Sequence, residues 1–101
     1  MKLIWSEPAL RDLLLIRDYI AKDSEFYAAR FIAKIVGAAE SLTKFPRMGR
    51  IVPEFNNEAV RELVIHSYRI LYEIETGQIS INAIVHSRRD LRKKPRSWEI
   101  G

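Results

Sequence analysis

Cysteine is absent from the 101 residues. With it go disulfides, thiolate nucleophiles and every zinc or iron–sulfur site that depends on sulfur ligands. Histidine occurs only at His66 and His86, with no H-x-x-x-H spacing, so no metal site is expected. Four scattered glycines build no phosphate cradle, which leaves out P-loop and dinucleotide-binding proteins and predicts no cofactor. No apolar run approaches the ~20 residues that cross a bilayer. Glu7 interrupts the opening stretch before it can act as a secretion signal. A cytoplasmic protein with no membrane partner is the expectation.

What is present fits one hydrophobic core, so residues 1–101 are read as one domain, with 93–101 as a basic tail. The charge is unevenly placed. Arg88, Arg89, Arg92, Lys93, Lys94 and Arg96 are opposed locally only by Asp90, so residues 88–96 carry +5 and the rest of the chain −1. Such a cluster suits an anionic partner, a solvated tail being the alternative.

Local patterns outline the elements. Lys2–Trp5 is short, apolar and β-prone, and Ser6 suits a helix N-cap with Pro8 in the first turn. Leu10, Leu13, Leu14, Ile16 and Ile20 recur at helical spacing and predict a first amphipathic helix ending near Asp23 or Ser24. Ala28, Phe31, Ile32, Ile35, Ala38, Ala39 and Leu42 predict a second, closed by Pro46. Gly37 inside it suggests a close helix–helix approach. Residues 58–65, then Tyr68–Glu75 and Gln78–His86, read as three strands of an antiparallel meander, the last two joined by a Thr76-Gly77 turn.

That turn fixes a register. Glu75 faces Gln78, Tyr72 faces Ile81, Ile70 faces Ala83 and Tyr68 faces Val85, giving one buried face. The other face then carries Arg69 opposite Ile84, and Ser67 opposite His86. Arg69 and His86 become diagonal neighbours on an exposed surface. An arginine beside a histidine is a candidate anion site and, with Arg61 and Glu62 or Glu73, a candidate for metal-free RNA cleavage. Arg47 and Arg50 around Gly49 are candidate phosphate contacts, and Trp98 is a candidate partner anchor. Tyr68 and Tyr72 are assigned to the core.

The ordered set of Trp5-Ser6, Asp12-Leu13, Phe45-Pro46, Gly49-Arg50, Val60-Arg61-Glu62-Leu63, Tyr68-Arg69-Ile70-Leu71-Tyr72 and Val85-His86-Ser87-Arg88-Arg89-Asp90 resembles the RelE/ParE superfamily of type II toxins, most closely its ParE branch. The resemblance spans residues 2 to 92. It implies an α+β, two-layer fold of order β-α-α-β-β-β, a helix hairpin on a small, mostly antiparallel sheet. It also implies a cognate antitoxin partner in a hetero-oligomer, and growth inhibition through DNA gyrase, as for plasmid-stabilising members. The alternatives are a ribosome-dependent mRNA endoribonuclease and a degenerate, non-toxic binding module.

Residue by residue, the nuclease pattern is incomplete. There is no lysine between Lys44 and Lys93 and no tyrosine after Tyr72. Relatives with an Arg, His and Tyr set match at Arg69, but their final His-Tyr falls at Ser87-Arg88, with His86 one place early. A non-catalytic toxin is favoured, with Arg50, Arg61, Arg69, His86, Arg88, Arg89, Arg92, Lys93 and Trp98 as the target- or antitoxin-binding residues. The nuclease alternative uses Arg69, His86 and Arg61.

Overall fold

Ser6 starts the first helix. Its backbone is extended and its Oγ accepts the Ala9 amide at 3.1 Å, satisfying one of the donors that a helix start leaves unpaired. The structure, a computed structural model, describes residues 1–88 and 91. Helix α1 spans Glu7–Ala21 with Pro8 in its first turn, where a missing amide is harmless. Helix α2 spans Glu25–Ser41, and the Oγ of its cap Ser24 accepts the Tyr27 amide at 3.1 Å. The short connection folds the two helices back into a hairpin. Among the described residues no helix is long and apolar enough to cross a membrane.

The strands are β1 (Lys2–Trp5), β2 (Arg50–Ile51), β3 (Val60–Ile65), β4 (Tyr68–Glu75) and β5 (Gln78–His86). They form one sheet in the order β1-β5-β4-β3-β2. β1 runs parallel to β5 and the other pairs are antiparallel, which is the expected α+β plan with one addition. That addition is β2. It pairs Arg50 with Glu62 and Ile51 with Arg61 at the sheet edge.

The predicted β4–β5 register holds for half its length. Gly77, at φ +73°, closes the turn, Glu75 faces Gln78 and Tyr72 faces Ile81 as expected. Then Asn82 is extruded as a β-bulge, so Leu71 faces Ala83, Ile70 faces Ile84, Arg69 faces Val85 and Tyr68 faces His86. Two residues from the start of the chain support the bulge. The Ser6 amide donates to the Ile81 carbonyl at 2.9 Å, and the Ser6 Oγ donates to the Asn82 carbonyl at 3.1 Å. Asp12 Oδ2 accepts the Ile84 amide at 3.0 Å. Backbone groups released by the irregular ladder thus find partners on the first cap and the first helix.

A change of parity on β5 gives the sheet two apolar faces. On the helix side, Ile70, Tyr72, Ile79, Ile81 and Ile84 pack with Ala9, Ile16, Ile35, Ala39 and Leu42. On the other side, Leu71, Ala83 and Val85 pack with Val52, Val60 and Leu91, flanked by Phe55. Ala83 and Val85 therefore point away from the helices, contrary to the alternation expected from the turn.

Two further expectations are corrected. Leu10 and Leu14 were placed with the core stripe of α1, but both are exposed; Ala9, Leu13, Ile16 and Ile20 face inward instead. Gly37 supports no close helix approach, since the space where a Cβ would sit is open. The glycine that a close contact does require is Gly49. Its amide donates to the Tyr72 hydroxyl at 2.9 Å, which in turn donates to the Pro46 carbonyl at 2.7 Å. Burial pushes the Tyr72 phenol up, so it stays a neutral donor.

Candidate functional site

The outer side of the sheet holds Arg69, Glu62 and Arg50. Arg69, placed on β4 beside Leu71, is only 4% exposed, and Glu62 on β3 is 1% exposed. Arg69 Nη1 and Nη2 donate to Glu54 Oε2 and Oε1, both at 2.8 Å, in a forked pair, while its Nε donates to Glu62 Oε1. Arg50 Nε donates to the second oxygen of Glu62. Glu54 Oε2 also accepts the Leu91 amide at 3.1 Å. The network therefore runs from the sheet edge through β3 and β4 to the segment after β5.

Burial on this scale must be matched by hydrogen bonding, and the network supplies it. Among the described residues no buried side-chain nitrogen or oxygen lacks a partner. Hydrogen bonds from Arg69 hold the Glu54 carboxyl down at about 2, against the opposing effect of burial. The Arg69 guanidinium is pushed further up by the same bonds. These charges are fixed at any physiological pH, so neither group is placed to exchange a proton.

Each expected site residue can now be placed. Arg69 and His86 do not share a face. The bulge puts His86 opposite Tyr68, on the side of the helices, with its imidazole edge-on to the Tyr68 ring at 5.9 Å. Arg69 points to the other side of the sheet and is covered. The expected exposed pair is therefore not assembled, because one residue added to β5 reverses the direction of every later side chain.

Arg61 is half-buried and committed to backbone. Its Nε donates to the Glu58 carbonyl and its Nη1 to the Gly49 carbonyl, both at 2.9 Å, tying the 52–59 loop to β2. Arg50 keeps its side chain largely exposed while paired to Glu62. His86 and Arg88 are exposed, and His86 Nδ1 accepts the Arg88 amide at 3.2 Å. Glu73 accepts from the Asn82 amide group at 3.0 Å. Arg89, Arg92, Lys93 and Trp98 lie outside the described residues.

Sequence reasoning missed Glu54, whose only signal is its position in the loop before β3. It also missed the apolar outer surface of α1, where Leu10, Leu14, Leu15 and Tyr19 are exposed. The signal for that surface was present: α1 carries more large apolar residues than one core-facing stripe can use.

Residues 3–91 match the family described as ParE toxin of type II toxin–antitoxin system, parDE. The chain belongs to that family. Toxin RelE2 of Caulobacter vibrioides is 36% identical over 89 residues, covering 87% of this chain and 97% of its own. The putative toxin Y4kP of Sinorhizobium fredii is 35% identical over 85 residues, covering 82% and 84%. The fold is shared with a chain of the chromosomal ParDE system of P. aeruginosa, at a TM-score of 0.71 and 24% identity over 85% of this chain and 95% of that one. It is also shared with a chain of the toxin–antitoxin complex RelBE2 of Mycobacterium tuberculosis, at a TM-score of 0.58 and 22% identity, covering 84% and 95%. This ParE-family chain is a type II toxin of the RelE/ParE superfamily, built as a helix hairpin on a five-stranded sheet.

Proposed function

We propose that this ParE-family chain acts in the cytoplasm, inhibits growth by binding DNA gyrase and so serves plasmid stabilisation, and is neutralised by a cognate antitoxin in a hetero-oligomer. The observation that carries a binding mechanism over RNA cleavage is the placement of Arg69. It is buried, held by Glu54 and Glu62, and separated by the sheet from His86. An arginine that stabilises a phosphorane must reach the substrate phosphate, and an acid–base histidine must stand on the same side.

The ParE-family match and the two neighbours from toxin–antitoxin complexes support an antitoxin partner. Two features of the surface suit it. The exposed Leu10, Leu14, Leu15 and Tyr19 along α1 would accept the apolar side of an amphipathic segment. Arg50, His86 and Arg88 offer exposed basic groups to acidic residues, and Arg89, Arg92, Lys93 and Trp98 are proposed to extend that surface towards antitoxin or gyrase. Arg61 and Arg69 contribute by holding the loop and strands that carry it. Salt should slow the encounter, as for any steered association.

The test is induction of the chain without antitoxin, following plasmid supercoiling and transcript integrity in the same culture. Growth arrest with altered supercoiling and intact transcripts is the expected result. Cleavage within codons, with supercoiling unchanged, would establish the endoribonuclease instead, and undisturbed growth would mark a degenerate binding module.

A further inference from the structure

One face of α2 carries a cluster that the toxin–antitoxin reading does not use. Tyr27, Arg30, Phe31 and Lys34 recur at three and four residues and so lie on one side of the helix. With Ala33 and His66 they line an open depression of about 610 Å3. His66 comes from the two-residue connection between β3 and β4, and its backbone sits at φ +52°, a conformation that side-chain-bearing residues rarely adopt.

The imidazole of His66 is held against the Phe31 ring, centroid to centroid 5.5 Å. Phe31 in turn meets Tyr68 at 5.7 Å, and Tyr68 meets His86 at 5.9 Å, so four rings run in series from the depression to the end of β5. The Lys34 ammonium lies 3.3 Å from His66 Nε2 and donates to it. Arg30, one turn before Lys34, stacks over Phe26 at 5.5 Å. Among the described residues no carboxylate forms an ion pair with Arg30, Lys34 or His66.

Basic side chains on a helix are usually offset by a glutamate one turn away, as Glu7 offsets Arg11 in α1. Here Arg30 and Lys34, one turn apart, line the same depression without an acidic partner among the described residues. Beside them the Tyr27 ring is 68% exposed. A carboxylate would satisfy the cations but leave that ring uncovered. A phosphate joined to a flat base satisfies both, which is how single-stranded nucleic acids are held by proteins that combine cations with aromatic platforms.

We propose that Tyr27, Arg30, Phe31, Lys34 and His66 form a binding site for a nucleotide unit of single-stranded nucleic acid. The phosphate rests on Lys34 and Arg30, with His66 holding the Lys34 ammonium in place, and the base stacks on Tyr27. The site stands apart from the antitoxin and gyrase reading, and its test contains neither protein.

The intact 101-residue chain is titrated into fluorescein-labelled dT12, U12, a 12-base-pair duplex and a glutamate-rich peptide of equal charge, with anisotropy as the readout. Both single strands should bind, and any preference between them identifies DNA or RNA as the source of the shared phosphate–base chemistry. Lys34→Gln and Tyr27→Ala, both exposed side chains, should each weaken binding about tenfold with unchanged melting temperature. Lys34→Gln should also lower the log–log salt slope by about 0.7, the value for one phosphate contact on a single strand. The 88–96 cluster gives a background common to every variant, and Arg17→Gln on α1 should leave binding unaltered. The proposal is overturned if no strand binds, if Arg17→Gln matches Lys34→Gln, if the duplex binds as well as the strands, or if the acidic peptide competes with the same sensitivity to Tyr27→Ala.

Discussion

Arg69 and Glu54 meet across the outer side of the sheet in a forked ion pair, each guanidinium nitrogen 2.8 Å from its own carboxylate oxygen. Glu62 closes the other side of the same guanidinium. Arg69→Ala therefore strands two carboxylates in a nearly dry site. Removing one member of a buried ion pair costs about 3–5 kcal/mol. Urea denaturation should show a loss of that size, and antitoxin binding should weaken together with toxicity. An Arg69→Ala chain with wild-type stability and selective loss of toxicity would instead make Arg69 a functional contact.

Acid should loosen the same network. The Glu54 carboxyl is held at about 2, below its ordinary value of 4.5, by its hydrogen bonds with Arg69. A depressed carboxylate contributes stability that is fully present above its unfolded value and disappears as pH falls through the folded one. The window is thus from about pH 5 down to about pH 2. Denaturation midpoints measured across it should fall more steeply for the wild type than for Glu54→Gln, and parallel curves would count against this assignment.

Gly49 occupies a position with no room for a methyl group. An added Cβ would lie 2.5 Å from the Glu62 carbonyl and 2.6 Å from the Tyr72 hydroxyl. Gly49→Ala should cost about 1–3 kcal/mol, the range for overpacking a filled site. Tyr72→Phe, which removes the hydroxyl but also its bonds to Pro46 and Gly49, should not restore stability when combined with it. Thermal melting of the two single variants and the double variant decides.

Gly37 is the opposite case. It is exposed in the body of α2, and no atom lies within 4 Å of where a Cβ would sit. Gly37→Ala should stabilise the chain by roughly 0.5–1 kcal/mol through helix propensity alone. A lower melting temperature would show that this face of α2 has a contact not visible in the isolated chain.

Much of the fold was legible because its signals are local. Ser6 acts as the cap its position suggests, the first helix ends close to Asp23, Gly77 makes the turn, and the alternation from Tyr68 to Glu75 gives β4 its bounds. The site was less legible because its geometry depends on a parity that alternation cannot reveal. Asn82 bulges because Ser6 and Asp12, more than 70 residues earlier, capture the backbone around it. Glu54 sits in a loop without periodicity, and only the tertiary fold brings it to Arg69. In α1 the leucines were legible as apolar, but not which of them would be left outside.

The extruded Asn82 lets one strand furnish two interiors. Its leading half, with Ile79 and Ile81, fills the space beneath the helices, whereas its trailing half sends Ala83 and Val85 to the opposite compartment, where Leu91 closes the lid. Excising that single asparagine would merely shorten β5 and keep both interiors. Drawing it into the regular ladder instead would turn the trailing half inside out, drive Ile84 into the wrong chamber, and carry His86 to the opposite side of the sheet.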